Sequence, residues 1–210
     1  MRDQADTIEH LRSQWYYYAS ADIEFWHVNF RSLLDQVALV ISEEAGIKNE
    51  KLKKSFRKLY NKSCPTCLHT PKGAAFGKQL GPEWLVLLQS ATWLDQIVSV
   101  RDAIVHLGGH TMVFEDASNG ILFQVYGARY QNLVKNVPLM FNENVVLFDR
   151  YAAHLMSYLL IFLEDFARVV YGRVMMSRKP HDTARNCGPG WGTLRSWIDS
   201  TLAAVAPPGP

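Results

Sequence analysis

One segment of the sequence, residues 94–110 (LDQIVSVRDAIVHLGGH), brings together an arginine, a carboxylate and a histidine. Asp102 and His106 are four residues apart, so on a helix the carboxylate can hold the imidazole in one orientation. Histidine transfers protons near neutral pH, and arginine stabilises the charge that develops on a phosphate. Arg101, Asp102 and His106 therefore form a candidate catalytic set for cleaving RNA without a metal ion.

The spacing of this set predicts that one copy of the chain does not complete the site. Residues five apart on an ideal helix lie about 140° apart around the axis, so Arg101 and His106 should not reach the same atom. Two copies facing each other across a dimer axis would supply both groups. The alternative is structural: Arg101 pairs with an acid such as Glu24 or Asp35, and His106 only caps the helix end.

The spacing Cys64-Pro-Thr-Cys67 defines a second candidate site. Two thiolates separated by two residues can share one zinc ion, and His69 is close in sequence. A complete zinc site needs a fourth ligand, for which Cys187, His181 or a dimer mate is available. A redox-active dithiol and a pair of unliganded thiols are the other interpretations.

Residues 46–80 carry nine Lys or Arg residues against Glu50 alone, a net charge of +8, in a chain whose total is +2. A basic block of this kind attracts a polyanion such as RNA. A solvated helix face is the alternative. Phe56 and Tyr60 interrupt the basic residues, and their spacing favours packing over base stacking. The candidate RNA-binding residues are Lys53, Lys54, Arg57 and Lys58.

The remaining histidines and glycines carry weaker signals. His27 and His154 fall inside predicted helices and are expected to be core or boundary residues, whereas His110 is expected in a solvated turn. The loop Gly188-Pro-Gly-Trp-Gly192 lacks the Lys and Ser/Thr of a P-loop, which excludes that kind of nucleotide site.

The composition predicts a folded globular protein. The chain has 210 residues, of which 48% are hydrophobic and 20% charged, and this excludes collagen-like, low-complexity and disulfide-framework proteins. Three cysteines fit a reducing compartment better than a secreted scaffold. The longest apolar run, residues 155–163, is too short to cross a bilayer, and the start of the chain does not resemble a signal peptide. A cytoplasmic protein without a membrane partner is expected.

Hydrophobic periodicity and capping residues predict mostly helices. The first helix, residues 3–45, should break near residues 20–22 because two capping-type residues lie there. Its second part should bury a set of apolar residues: Phe25, Val28, Leu33, Val37, Val40 and Ile41, with Trp26 and Phe30 beside them. A basic helix over residues 49–60 should bury Leu52, Phe56 and Leu59. The prolines and glycines of residues 61–82 indicate a long loop.

The second half of the chain continues this pattern. Its predicted elements, in order, are a helix from Pro82 to Leu107 stopped by Gly108 and Gly109, a β-hairpin of Thr111–Phe114 and Ile121–Tyr126, a linker, a helix from Asn144 to about Met175, and a last helix from Thr193 to Val205. The helix from Pro82 should place Leu87, Leu94, Val98 and Val105 on one buried face. The sequence therefore predicts one mostly α domain over residues 1–206, an up-down helical bundle with an inserted hairpin, followed by a frayed tail at 207–210.

The pattern Arg101-Asp102-x-x-x-His106 at the end of an amphipathic helix resembles the motif of the HEPN superfamily (higher eukaryotes and prokaryotes nucleotide-binding domains). The segment HVNFRSLLDQVALVI is similar to the early core helix of such proteins. The resemblance covers about residues 22–175, with the basic CxxC loop at 61–82 and the hairpin at 111–126 as insertions. It implies a helical bundle, a homodimer whose motifs face each other and metal-independent endoribonuclease activity. By position, Arg101 and His106 would be catalytic and Asp102 their polar companion.

Three functions are compatible with these residues. The first is a homodimeric HEPN-like endoribonuclease, as in toxins or defence effectors, in which His106 is the general acid or base and Arg101 stabilises the phosphate. The second is a non-catalytic helical dimer that binds RNA, a nucleotide or a protein partner such as an antitoxin. The third is an adaptor stabilised by zinc at Cys64 and Cys67. The nuclease needs no cofactor, and structural zinc belongs to the third alternative.

Overall fold

A computed structural model of the chain describes residues 2–106, 110–127, 137–177 and 190–205. Within these ranges the chain forms helices and a small antiparallel sheet. The helices are α1 (Arg2–Glu44), α2 (Glu50–Lys53), α3 (Phe56–Lys62), α4 (Pro65–Leu68), α5 (Pro71–Leu80), α6 (Pro82–Ser90), α7 (Leu94–His106), α8 (Phe148–Ser177) and α9 (Gly190–Val205). The strands are β1 (Thr111–Asp116), β2 (Gly120–Val125), β3 (Met140–Asn142) and β4 (Val145–Leu147).

The chain groups into two compact units. The first, here called the motif unit, consists of Met1–Arg31, Asp95–Ala153 and Val205–Pro210 and contains the sheet and nearly all of α7. The second, here called the basic unit, consists of Ser32–Leu94 and His154–Ala204 and contains α2 to α6. Helices α1 and α8 each contribute residues to both units.

Helix α1 is continuous over 43 residues, so the predicted break near residues 20–22 is wrong. At 1.5 Å per residue it is about 65 Å long. Ser20 does not cap a new helix, because its hydroxyl donates a hydrogen bond to the carbonyl oxygen of Thr111. The buried residues of α1 follow a regular four-and-three spacing: Ile23, His27 and Phe30 in the motif unit, and Leu34, Val37 and Ile41 in the basic unit.

The predicted core face of α1 is correct only in part. Phe30, Val37 and Ile41 are buried, but Phe25, Leu33 and Val40 are exposed. The prediction failed because it treated every large apolar residue as a core residue, whereas the buried stripe includes His27 and Ala38.

Residues 61–82 are mostly helical, and the predicted long loop is wrong. Pro65 and Pro71 each occupy the first turn of a helix, where the missing N–H costs no hydrogen bond. The side chain of Thr70 accepts a hydrogen bond from the N–H of Gly73 at 3.0 Å and thereby caps α5. The prolines in this segment mark helix starts. In the preceding segment the basic helix is divided into α2 and α3, and Leu52, Phe56 and Leu59 are buried as predicted.

The single helix predicted from Pro82 to Leu107 is two helices. Helix α6 ends at Ser90, whose hydroxyl donates a hydrogen bond to the carbonyl oxygen of Leu87 at 2.8 Å. The chain then turns through Ala91 and Trp93, both buried, before α7 begins at Leu94. Within the basic unit, the Trp93 ring packs on the rings of Tyr158 and Phe162. The favourable free energy of burying this indole offsets the helical hydrogen bonds that are lost at the break.

The sheet has the strand order β1-β2-β4-β3, and all its pairings are antiparallel. The hairpin of β1 and β2 confirms the prediction for residues 111–126. The strands β3 and β4 were not predicted. Because β4 pairs with β2, helix α8 begins at Phe148 and not at Asn144. Phe123 of β2 packs against the rings of Phe148 and Tyr151.

The described chain is mostly helical, as predicted. In these same ranges, no helix is both long and apolar enough to cross a membrane. The last helix starts at Gly190, earlier than predicted. The HEPN-like arrangement of the helices and the single domain over residues 1–206 stay predictions.

Candidate functional site

Arg101, Asp102 and His106 meet at the C-terminal end of α7 in the motif unit. The Arg101 Nη1 atom lies 2.9 Å from the Nε2 atom of His106 and 3.0 Å from the Oδ1 atom of Asp102. Asp102 Oδ1 lies 3.9 Å from His106 Nε2, beyond the length of a hydrogen bond. The guanidinium therefore connects the carboxylate to the imidazole.

The apolar face of α7 positions this cluster. Its buried residues are Leu94, Ile97, Val98, Val100, Ala103 and Ile104. Arg101 lies beside this face with a quarter of its side chain exposed, while Asp102 is one-third exposed and His106 is 63% exposed. The side chains of all three residues are thus partly accessible to a ligand, although the Nε atom of Arg101 is buried.

The contact between Arg101 and His106 constrains the tautomer of the imidazole. A guanidinium has donors only, so Nε2 of His106 must be the acceptor and carry no proton. A neutral imidazole that makes this hydrogen bond carries its proton on Nδ1. Nε2 has a single lone pair, which this hydrogen bond occupies, so the imidazole can act as a general base only when the guanidinium turns to another acceptor.

The expectation that one chain cannot bring Arg101 and His106 together is wrong. The two Cα positions are on different sides of the helix, but the long arginine side chain extends along α7 and reaches the imidazole near the helix end. Nor does Arg101 have Glu24 or Asp35 as its observed acid partner: the side chain of Glu24 accepts the N–H of Thr111, and that of Asp35 accepts the N–H of Phe56. The acid that Arg101 contacts is Asp102.

Helical-wheel reasoning also misplaced Val105, which is 44% exposed and adjacent to His106. Val105 shares α7 with Leu94 and Val98, so the break after Ser90 does not account for its exposure; it lies in the last turn, one residue before the helix ends. Leu87, Leu94 and Val98 are buried as predicted.

The four predicted RNA-binding residues lie in the basic unit and differ in how accessible their charged groups are to a phosphate. Lys53 Nζ forms an ion pair with Glu43 at 2.7 Å, and its side chain is only 18% exposed. This hydrogen bond raises the pKa of Lys53 above its usual value. Lys54, Arg57 and Lys58 are exposed, although Lys54 also lies 3.8 Å from Glu50. Lys53 is therefore the least available of the four for a phosphate.

The structure adds three lysines that the sequence analysis did not single out. Lys48, Lys62 and Lys72 line a cavity of about 440 Å³ in the basic unit. Asn49 and Gln79 add amide groups to the same lining. The excess of positive charge in residues 46–80 pointed to this segment. Which of its lysines line the cavity depends on how α3 and α5 fold beside residues 46–49.

Cys64 and Cys67 form a disulfide at the start of α4, with their Cα atoms 5.2 Å apart. Bonded sulfurs are not thiolates, so the predicted zinc site applies only to the reduced chain. Within the described ranges, no three or more His, Cys, Asp and Glu residues are grouped to hold a metal ion. Cys187 and His181, considered as further ligands, lie outside the described residues, as does the start of the Gly188–Gly192 loop.

His27 and His154 are core residues, as expected. The Nδ1 atom of His27 lies 2.7 Å from the carbonyl oxygen of Ile23, and its Nε2 atom lies 3.2 Å from the hydroxyl of Tyr151. Burial lowers the pKa of His27 to about 4, and burial also lowers the pKa of His154. Both imidazoles are therefore neutral at pH 7. His110 is exposed, also as expected.

At the end of α7 the guanidinium of Arg101 lies within hydrogen-bond distance of both the exposed imidazole of His106 and the carboxylate of Asp102. Arg101, Asp102 and His106 are therefore the candidate functional site. No protein-family model matches this sequence, and no curated protein or solved structure matches it either.

Proposed function

We propose that this chain is a HEPN-like, metal-independent endoribonuclease that acts as a homodimer. The observation that carries the proposal is the short contact between the Arg101 guanidinium and the Nε2 atom of the exposed His106. It places a proton acceptor beside a group that binds phosphate oxygens, which is the pair of functions that RNA cleavage requires.

The reaction follows from these two groups. His106 removes the proton from a ribose 2′-hydroxyl, and the 2′-oxygen attacks the adjacent phosphorus. The bond from phosphorus to the 5′-oxygen breaks, which leaves a 2′,3′-cyclic phosphate and a 5′-hydroxyl. A second copy's His106, in its protonated form, donates the proton that the leaving 5′-oxygen takes up.

Arg101 and Asp102 have positioning and electrostatic roles in this proposal. When a phosphate enters, the Arg101 guanidinium donates to its non-bridging oxygens and stabilises the additional negative charge of the phosphorane. Asp102 holds the guanidinium at the helix end by the 3.0 Å contact. We expect Asp102→Asn to weaken this positioning and to lower the rate less than a change at His106.

The charge of the basic unit supports an RNA substrate. Residues 46–80 have a net charge of +8, and Lys48, Lys62 and Lys72 surround one cavity. Such a surface attracts the phosphate backbone without regard to sequence. RNA binding should therefore weaken steeply as the salt concentration rises.

Cleavage of a labelled single-stranded RNA in EDTA tests the proposal. The wild-type chain should cut, and His106→Ala should lower the rate by about 10²- to 10⁴-fold because the proton acceptor is lost. Arg101→Lys should also lower the rate, since a lysine cannot reproduce the planar fork of donors. His69→Ala, at an exposed histidine of the basic unit, is the matched control and should cut like the wild type.

The products and the controls separate the alternatives. A 2′,3′-cyclic phosphate end supports the mechanism, whereas a 3′-hydroxyl end contradicts it. If the RNA binds but no variant cuts it, the chain is a non-catalytic RNA-binding protein. Cleavage that persists in His106→Ala would identify a contaminating nuclease or a different site.

A further inference from the structure

A cleft of about 670 Å³ lies between α1 and β1 in the motif unit. Its size is within the range of about 300–1,000 Å³ that is typical of small-molecule sites. The residues that matter for its chemistry are Tyr16, Tyr17, Glu24, His110, Thr111 and Val113. The proposed catalytic mechanism uses none of them.

Chain connectivity places this cleft close to the Arg101–His106 cluster. His110 lines the cleft and follows His106 by four residues. Four residues of extended chain span at most about 14 Å. One strand of RNA can therefore contact the cleft and the end of α7 at the same time.

The carboxylate of Glu24 supplies hydrogen-bond acceptors to the cleft. Its Oε1 atom accepts the backbone N–H of Thr111 at 3.1 Å. A carboxylate has about four lone-pair positions on its two oxygens, so this bond leaves acceptors for a ligand. The bond to Thr111 also holds the carboxylate in one orientation.

The edge of the sheet supplies a donor. The N–H and carbonyl oxygen of Thr111 point towards α1, where they meet Glu24 and Ser20. Because backbone direction alternates along an antiparallel strand, the N–H and carbonyl oxygen of Val113 point the same way. Among the described strands β1 is at the edge of the sheet, so these groups of Val113 face the cleft without a neighbouring strand.

Two tyrosine rings form part of the apolar lining of the cleft. Tyr17 is 72% exposed and Tyr16 is partly buried, and both line the cleft. Exposed aromatic rings next to a polar pocket are the surfaces on which single-stranded bases stack.

We propose that this cleft binds a guanine base of single-stranded RNA. Guanine presents two adjacent N–H donors, on N1 and on the exocyclic N2, next to the O6 acceptor. The Glu24 carboxylate accepts from both donors, and the N–H of Val113 donates to O6. Adenine, cytosine and uracil lack two adjacent donors on this edge. The inference rests on the proposed ribonuclease function and predicts that cleavage occurs next to guanine.

Calorimetric titration of the full chain with the four ribonucleoside 5′-monophosphates tests this. The guanosine nucleotide should bind at least about tenfold more tightly than the others. Glu24→Gln keeps an oxygen that accepts the Thr111 N–H but presents an amide donor to the guanine donors. It should therefore lose about tenfold or more in affinity for guanosine monophosphate, with little effect on uridine monophosphate.

Two tyrosines provide a matched pair of variants. Tyr17→Ala should weaken all four nucleotides by about tenfold because the stacking surface is lost. Tyr18 is 62% exposed and does not line the cleft, so Tyr18→Ala should bind like the wild type. If circular dichroism shows that Glu24→Gln does not fold, the comparison of Tyr17→Ala with Tyr18→Ala tests whether the nucleotides bind in the cleft.

The outcomes distinguish this inference from the proposed function. Equal affinity for the four nucleotides, or equal effects of Tyr17→Ala and Tyr18→Ala, overturns the guanine site. Guanine-selective binding without RNA cleavage supports the site and contradicts the ribonuclease. Cleavage in EDTA that depends on His106 but shows no preference for guanine supports the ribonuclease and overturns the site.

Discussion

Two histidines of this chain show how environment determines the role of a residue. His106 is mostly exposed and accepts a hydrogen bond from Arg101, whereas His27 is fully buried between Ile23 and Tyr151. The exposed imidazole is accessible to a ligand. The buried one stays neutral because charging it in the core carries a large desolvation cost.

The buried imidazole should make the stability of the protein depend on pH. Below pH 6.5 the unfolded chain binds a proton at His27 that the folded chain does not bind until its pKa of about 4. The free energy of unfolding should therefore fall as the pH decreases from about 6.5 to about 4, by about 3 kcal/mol from this residue. Urea unfolding at several pH values in this interval measures the decrease.

The variant His27→Gln separates this contribution from that of other groups. It should show a shallower fall in stability over the same interval, while His69→Gln, at an exposed position, should follow the wild type. His154 contributes in the same direction, because its pKa is also lowered. Identical pH profiles for wild type and His27→Gln would contradict the assignment.

At the scale of elements, the corner between α4 and α5 is packed more tightly than its sequence suggests. A Cβ atom on Gly73 would lie 1.9 Å from the carbonyl oxygen of Cys67. That oxygen also accepts hydrogen bonds from the N–H and the hydroxyl of Thr70. The glycine is needed here for close approach of two backbone segments.

We expect Gly73→Ala to destabilise the protein by about 1–3 kcal/mol or more, because backbone atoms must move to admit the methyl group. Gly172 in α8 is the matched control, since its Cβ would contact nothing within 4 Å. Gly172→Ala should stabilise by up to about 1 kcal/mol through helix propensity. Thermal unfolding of both variants provides the measurement, and equal shifts in Tm would contradict the packing argument.

At the scale of the whole molecule, the proposed dimer needs an interface near the motif. Val105 is exposed next to His106, at the end of a helix whose other apolar residues are mostly buried. An exposed valine at this position is suited to contact a second copy of α7. The proposed mechanism uses the second copy's His106 as the acid.

We expect Val105→Glu to dissociate the dimer, because two like charges would face each other across the symmetry axis. Cleavage of RNA should fall in parallel, while the far-UV spectrum stays unchanged since the side chain is exposed. Val86→Glu, at an exposed valine of α6, is the control. Light scattering and the EDTA cleavage assay measure the two effects; a monomeric variant that retains full activity would show that one chain suffices.

Several predictions from sequence were correct where local rules dominate. The hairpin formed because Gly120, with a φ of 77°, follows Asn119 in a turn that Asp116 stabilises by accepting three hydrogen bonds. Those bonds also lower the pKa of Asp116. The basic helices buried Leu52 and Phe56 as their spacing required.

Other predictions failed where distant contacts decide the outcome. Helix α1 continues through Ser20 because that hydroxyl binds a residue 91 positions away. The helix from Pro82 breaks because Trp93 gains ring contacts with Tyr158 and Phe162. Neither partner is visible in a local window of sequence.

The amino-acid sequence alone determined the helical class of the chain, its hairpin, its basic segment and the identity of the three candidate catalytic residues. Those features depend on residue type and spacing over a few positions. Tertiary structure alone decided that the Arg101 guanidinium meets His106, that the side chain of Glu24 binds Thr111, and that a cleft lies beside them. These depend on side-chain conformation and on contacts between residues far apart in the chain, because packing selects among the conformations that local preference leaves open.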